Sequence, residues 1–320
     1  MMSAGTYSPV YRAGGFAMRT DVEVHGATDA AALPLVLRWP ERDDPKGCVV
    51  FCHGLGASGH DYAEISEHWA RNGYIVIHPT FPDWVGAVVA TEPELGVDPA
   101  DDLDGWSGDA RLRPRMFEIL HSPRYWLDRI RIVGEVMDHL DTIVAATCGR
   151  LPGSVHTAIA GHSFGAYTSQ LLAGAEIDLP DGTSRNFRDN RFSAAILLSA
   201  QGRDQQGLRE GSWDGITGPM LNVTGTLDGG AKGQDWRWKV EPYEFAPPPD
   251  KYLALLVDAD HYLGGLARPD QSPVPAQRDA VFQLTLAFLD AYVAGSALAK
   301  SWLAGVTDRL GDCRLQFRQK

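Results

Sequence analysis

The chain has 320 residues and a formal net charge of −12, from 29 Lys and Arg against 41 Asp and Glu. That balance repels phosphate backbones and anionic lipid surfaces, which argues against a nucleic-acid partner. With 44% hydrophobic residues, a chain of this size buries a full core without disulfides or metal, and one domain is expected, since α/β folds of roughly 250 residues commonly form a single unit.

Met1–Thr20 lacks the basic flank and apolar run of a signal peptide, and no apolar stretch approaches the ~18 residues of a membrane span, so a cytoplasmic protein is expected. Asp21–His25 and Leu33–Trp39 read as two strands around an Asp/Ala turn. GCVVFC, Gly47–Cys52, is a short buried strand running into the turn HGLGASG. Cys48 and Cys52 lie too far apart along that extended strand to bridge, and buried thiols are expected. Cys148 and Cys313 are expected as free thiols, and no CxxC or Cys/His metal spacing occurs. A helix pattern over Asp61–Asn72, closed by Gly73, precedes the strand YIVIHP, Tyr74–Pro79. Strand, helix, strand alternation signals an α/β fold with a mostly parallel sheet.

Phe81–Ser122 breaks this pattern. It is rich in Pro, Gly and Asp and reads as a long solvated loop, the kind that commonly covers a site. Asp98, Asp101, Asp102, Asp104 and Asp109 lie within it, but Ala100 and Arg111 occupy positions a calcium loop needs acidic. Pro123 opens a helix predicted to run to Thr147, with His139 inside it as a structural residue. The strand His156–Ala160 leads through the tight turn GHSFG into a helix from Phe164 to Ala173, and Glu176–Arg191 reads as a polar insertion. Further strands are expected at Ala194–Ser199, Met220–Thr224 and Tyr252–Val257, with helices at Phe282–Val293 and Ala297–Leu310. The aromatic segment DWRWKVEPYEF lies between the last two strands and reads as a connection or docking patch.

Gly161-His162-Ser163-Phe164-Gly165 is a GxSxG between a predicted strand and a predicted helix, the context of a nucleophile elbow. The sharp turn demands small neighbours, hence Gly161 and Gly165, and exposes the Ser163 hydroxyl above the carboxyl edge of the sheet. A serine needs a base as it attacks, and the base needs a carboxylate to orient it. His261 follows the serine at the end of a late strand and is the expected base. Asp228, in the turn after MLNVT, is the expected acid, with Asp204, Asp214 and Asp258 as rivals. Negative charge on a reacting carbonyl oxygen calls for backbone N–H donors. Phe164 in the elbow supplies one, and Leu55 in the flexible His53-Gly54-Leu55-Gly56 turn supplies the other. His53 is expected to tether that turn. Trp84, Phe81, Trp106 and Trp126 are candidate aromatic walls of a substrate cleft.

FCHGLGASGHDYAEISEHWARNGYIVIHPTFPD, AGHSFGAY and AFLDAYVAGSALAKSWL resemble the α/β-hydrolase superfamily, within it the group of platelet-activating-factor acetylhydrolase-like, chlorophyllase-like and dienelactone-hydrolase-like enzymes that borders on the polyester hydrolases. The likeness runs from about residue 33 to residue 305. It implies an α/β-hydrolase fold, Ser163 as nucleophile, His261 as base, Leu55 and Phe164 as oxyanion donors, and no cofactor or metal. Dienelactone hydrolases proper use cysteine as nucleophile, where this chain has Ser163. Acetylhydrolase relatives can carry the acid one strand earlier, which keeps Asp204 and Asp214 in view. Secreted polyester hydrolases carry an export signal and a C-terminal disulfide, neither evident here. A serine esterase for a small-molecule ester, with short acyl or aromatic groups favoured, is therefore the leading expectation. Polyester or lipid ester hydrolysis, amide or carbon–carbon hydrolysis, acyl transfer and non-catalytic binding are the alternatives, and oligomeric state is not legible. The insertions at 81–122 and 176–191 match no pattern and are expected to set substrate choice.

Overall fold

The computed structural model of the protein describes residues 7–9, 15–24, 33–41, 44–148, 156–267 and 273–320. Strands β1 (Phe16–Val24) and β2 (Leu33–Pro40) pair antiparallel, and His25 of the first predicted strand lies outside the described residues. β3 (Gly47–Cys52), α1 (Ala63–Arg71) and β4 (Tyr74–Pro79) form the first parallel unit. Next come α2 (Val85–Thr91), α3 (Leu112–Leu120), α4 (Pro123–Asp138), α5 (Leu140–Ala145), β5 (Thr157–His162) and α6 (Phe164–Ala173). A small hairpin of β6 (Glu176–Asp178) and β7 (Ser184–Asn186) leads to β8 (Phe192–Leu198), β9 (Met220–Gly225), α7 (Trp236–Phe245) and β10 (Lys251–Leu256). The chain closes with α8 (Pro275–Tyr292), α9 (Ala297–Ala304), β11 (Arg309–Leu310) and β12 (Cys313–Gln319).

One ten-stranded sheet runs in the order β1-β2-β4-β3-β5-β8-β9-β10-β12-β11. The six strands from β4 to β10 are parallel, and the antiparallel strands lie at its two edges. Alternation along each strand sends successive side chains to opposite faces. Val50, Ile77, Ile159 and Leu197 meet α4, α5, α6 and α7 on one face. Val49, Val76, Ala158 and Ile196 meet α1, α8 and α9 on the other. Covering both faces explains why the parallel strands read as continuous apolar runs. Among the described residues no helix is long and apolar enough to cross a membrane. All four cysteines are outside any disulfide, with Cys148 exposed and the other three buried.

Four expectations need correction. Phe81–Ser122 is not a bare loop: α2, α3 and two short 3₁₀ turns enclose a small cluster of Val85, Val88, Val89, Val97, Leu112, Met116 and Ile119. The helix from Pro123 breaks at His139, whose Nδ1 lies 2.9 Å from the Glu135 carbonyl and whose backbone leaves helical angles. The 235–245 segment is α7, capped by the Asp235 side chain accepting from Arg237 N–H, with Val240 and Tyr243 in the core. This leaves the docking-patch reading with Phe245 as the exposed aromatic residue of the segment, its ring stacked on Trp213. The last helix ends at Ala304, and the sheet gains β12, whose buried Cys313 and Leu315 alternate with exposed Arg314 and Gln316.

Buried histidines set the acid limit of this fold. Burial, before any other cause, pushes His53 and His68 down to about 4, His162 down to about 3, and His78 well below its ordinary 6.5. In the unfolded chain these imidazoles titrate near 6.5, so acid protonates the unfolded state first. Their contribution is whole above about pH 6.5 and is lost as pH falls from there towards about 4, by up to roughly 1 kcal/mol per pH unit for each. Urea melts between about pH 7.5 and about pH 5 should show a steadily falling midpoint; a flat midpoint would refute the burial of these rings in neutral form.

Candidate active site

The turn between β5 and α6 places Ser163 at φ 53°, ψ −119°, a strained conformation for a side-chain-bearing residue. Two close approaches make the turn possible. A Cβ on Gly165 would lie 1.8 Å from the Cys52 carbonyl oxygen, and one on Gly161 would lie 2.3 Å from the Gly165 backbone. Glycine at both positions therefore lets the elbow pack directly on the end of β3. Ser163 N–H donates to the Leu198 carbonyl at 2.9 Å, and the Ser163 carbonyl accepts from Tyr167 N–H at 3.0 Å. The helix thus begins immediately after the serine, with Phe164 N–H at its open N-terminal end.

His261 lies in the segment after β10, and its Nε2 is 3.0 Å from Ser163 Oγ. Its Nδ1 is 2.9 Å from Asp228 Oδ1 and 2.8 Å from Ser199 Oγ. With the Nδ1 proton directed at the carboxylate, Nε2 is left as an acceptor for the serine hydroxyl. Asp228 is fully buried in the turn after β9, where Oδ2 accepts from Thr224 Oγ1 at 2.8 Å. Asp204, Asp214 and Asp258 are exposed, which removes them from this chain of contacts.

Lys239 of α7 is a residue that sequence reasoning missed, because a lysine in an aromatic, charged stretch looks solvated. It is buried; its Nζ donates to the Ser199 carbonyl at 3.2 Å and to Ser199 Oγ at 3.1 Å, and stands 3.7 Å from Asp228 Oδ1. Burial would raise the Asp228 carboxyl, but Lys239 and then His261 hold it below its ordinary range. Burial pulls Lys239 down, against the attraction of Asp228. Ser199 shares the strain, with φ 57° at the end of β8.

Two buried networks fix the turn after β3. His53 Nε2 accepts from Phe81 N–H at 2.9 Å, so its proton sits on Nδ1 and donates to the Gly54 carbonyl at 2.7 Å. Arg129 of α4 donates through Nε and Nη2 to both oxygens of Asp83, at 2.8 and 2.6 Å, and through Nη1 to the His53 carbonyl at 2.8 Å. Arg129 and Asp83 are both fully buried, and the guanidinium lies 4.3 Å from the Phe81 ring centre and 4.2 Å from that of Phe164. The Gly54 carbonyl belongs to the same trans peptide as Leu55 N–H, so the two point in opposite directions. Anchoring Gly54 O to the buried side aims Leu55 N–H away from it. On the cleft side, Gly54 N–H donates to Tyr62 Oη, Tyr62 donates to His162 Nδ1 at 2.9 Å, and His162 Nε2–H donates to the His261 carbonyl at 2.7 Å. His162, the variable residue of GxSxG, thereby holds the backbone of His261.

These groups open into a cleft of about 1290 Å³. Leu55, Trp84 and Trp106 line it together with Ser163 and His261, as expected. Phe164 is fully buried and is not among its lining residues. Phe81 and Trp126 do not line it. Phe81 is buried against the Arg129 guanidinium, and Trp126 is buried with its Nε1–H donating to the Leu120 carbonyl. The 81–122 segment supplies one wall, whereas the 176–191 hairpin contributes no lining residue and is corrected as a determinant of substrate choice. Among the described residues no cluster of three His, Cys, Asp or Glu is arranged for a metal.

Asp83→Ala strands the Arg129 charge in the interior and should lower the unfolding free energy by about 3–5 kcal/mol. Adding Arg129→Met removes the stranded charge, and the double variant should recover part of that loss in urea denaturation. A double variant less stable than the single one would contradict a pairing of these charges. No protein-family model matches this chain and no curated protein matches it, so the reading of the site stands on its geometry.

Proposed function

We propose that the protein is a serine hydrolase of carboxylic esters, built on an α/β-hydrolase fold. The observation that carries this reading is the continuous contact from Ser163 Oγ through His261 to buried Asp228, at 3.0 and 2.9 Å, on a strained turn facing a cleft of about 1290 Å³. The parallel sheet with the elbow after β5 supports the fold assignment.

In this reading Ser163 Oγ attacks the ester carbonyl while His261 Nε2 takes its proton. Charge develops on the carbonyl oxygen, where the N–H groups of Leu55 and Phe164 are the donors, each contributing ~3 kcal/mol in sites of this kind. Asp228 stabilises the imidazolium through Nδ1–H. The tetrahedral adduct then collapses, His261 passes its proton to the departing alcohol, and Ser163 carries the acyl group. Water attacks the acyl-enzyme with His261 as base, releasing the acid and restoring the serine.

Exposure to a fluorophosphonate followed by peptide mass spectrometry should find the adduct on Ser163, alongside turnover of p-nitrophenyl acetate. Neither adduct nor turnover would overturn the reading. Ser163→Ala and His261→Ala should each lower kcat by at least roughly 10³-fold, and the pair combined should fall little further, since they act as a unit. Asp228→Asn should approach the same loss.

Lys239 gives a pH signature. Its ammonium opposes formation of the positively charged imidazolium beside Asp228, so Lys239→Met should move the acidic limb of the kcat/KM profile to higher pH, by about one unit. A limb that stays in place would limit Lys239 to packing.

A further inference from the structure

The segment after β8 carries three glutamines in six residues of chain, Gln201, Gln205 and Gln206, and all three line the cleft with Ser163. Each is more than nine-tenths buried. Yet Gln201 Oε1, Gln205 Nε2 and Gln206 Oε1 have no hydrogen-bond partner among the described residues. Leaving a buried amide atom unpaired costs about 1–3 kcal/mol, which a protein tolerates where a ligand supplies the missing partner.

The backbone here is also strained. Asp204 at φ 63°, Gln206 at φ 53° and Gly207 at φ 78° lie in the left-handed region within four residues. Surrounding contacts enforce this conformation: Tyr167 Oη–H donates to the Gln206 carbonyl at 2.6 Å, Asp204 N–H to the Leu208 carbonyl at 2.8 Å, and Trp238 Nε1–H to the Arg203 carbonyl at 2.8 Å. The Gln206 side chain is fixed as well. Its Nε2 donates to the Leu120 carbonyl at 2.9 Å, and turning the amide over would set oxygen against oxygen. Strain maintained by packing at a site of unpaired polar atoms is the pattern of a ligand-holding loop.

We propose that Gln201, Gln205 and Gln206 form a subsite for an uncharged hydrogen-bonding group of the substrate, a secondary amide or a hydroxyl-bearing unit; this rests on the ester-hydrolase reading. The three unpaired atoms are closed to water in the free protein, so a bound group meets them as the glutamine side chains shift towards the cleft they line; two acceptor oxygens and one donor nitrogen call for a complement that carries both donors and an acceptor. An alkyl group would leave all three atoms unpaired. A charged group would sit against neutral amides, and of the Lys and Arg residues that line the cleft, Lys239 is engaged by Ser199 and Asp228 while Arg113 is exposed to water over the Phe117 ring. Asp101, Asp102 and Asp104, which also line the cleft, further disfavour carboxylated or phosphorylated substrates.

The test compares esters carrying an acetamido group with their isosteric branched-alkyl esters. On the acyl side, the p-nitrophenyl esters of N-acetylglycine, 3-acetamidopropanoate and 4-acetamidobutanoate are set beside those of 4-methylpentanoate, 5-methylhexanoate and 6-methylheptanoate. On the alcohol side, 2-acetamidoethyl acetate is set beside 4-methylpentyl acetate. The parent protein should show kcat/KM at least roughly tenfold higher for an amide member than for its isostere in one of the two series, and Gln205→Leu and Gln201→Leu should each reduce that ratio. Isosteres equal or better in both series, or ratios unmoved in both variants, would overturn the subsite. The parent ratio alone decides the matter if a variant fails to fold. Absence of turnover for every ester, with no adduct on Ser163, would instead defeat the hydrolase reading. The subsite is then read by NMR titration of 2-acetamidoethyl acetate against 4-methylpentyl acetate, and weaker or equal binding of the amide overturns it.

Discussion

Arg129 is the point at which four separate segments of this protein meet. Its guanidinium joins α4 to Asp83 after β4 and to the His53 carbonyl after β3, and it is sandwiched between Phe81 and the elbow residue Phe164. An isolated charge in such a place would cost several kcal/mol, and only a partner with matched geometry offsets it. The two parallel bonds to Asp83 provide that match, and the flat faces of the cation receive the two rings. Lysine has neither the fork nor the flat face. Because the same cation binds the 53–54 turn, the direction of Leu55 N–H depends on it, and so does the packing of the elbow against the end of β3.

A second charge cluster supports the other end of the site. Asp228, Lys239, Ser199 and His261 come from β9, α7, β8 and the segment after β10, elements adjacent in the sheet but distant in sequence. A buried carboxylate in apolar surroundings takes up a proton and ceases to act as an anion. Lys239 reverses that tendency, while its contact through Ser199 keeps it from occupying the place of the imidazole. The carboxylate is thus kept ionised by Lys239 and oriented towards the His261 imidazole. Thr224 takes up the remaining oxygen and leaves little freedom for the carboxylate to rotate.

The parts legible in the sequence are those with local signals. Continuous apolar runs marked β3, β4, β5, β8, β9 and β10, because burial on both faces removes polar alternation. The elbow was legible from its two glycines, each required by an approach of backbone to backbone. His261 and Asp228 followed from chain order and from their turns after strands. Long-range placement was not legible in the same way. Phe81 and Trp84 are three residues apart and chemically alike, yet one supports Arg129 and the other faces the cleft. No periodicity in an irregular segment separates them. Lys239 and the glutamines of the 201–206 segment resemble solvated residues, since their burial is created by elements distant in the chain. Pro242 and four aromatic residues masked α7, and the alternation of β12 is short and carries arginines on its open face.

The two cleft walls differ in how they are supported, and the difference bears on how the site can specify a ligand. The 81–122 wall packs around its own apolar cluster, which Leu55 and Tyr125 join to the core on one face of the sheet. The 201–206 wall has no such cluster and rests on hydrogen bonds to its neighbours. The Leu120 carbonyl joins them: it accepts from Trp126 Nε1 of α4 at 2.8 Å and from Gln206 Nε2 at 2.9 Å. One carbonyl at the end of α3 therefore ties the helix that carries Arg129, the 81–122 wall and the strained glutamine segment to a common position. A shift of α3 would move the amides relative to Ser163 without disturbing the sheet that holds the serine. The glutamine amides and the Ser163–His261–Asp228 contact are in this way placed on different supports, with the Leu120 carbonyl as one link between them.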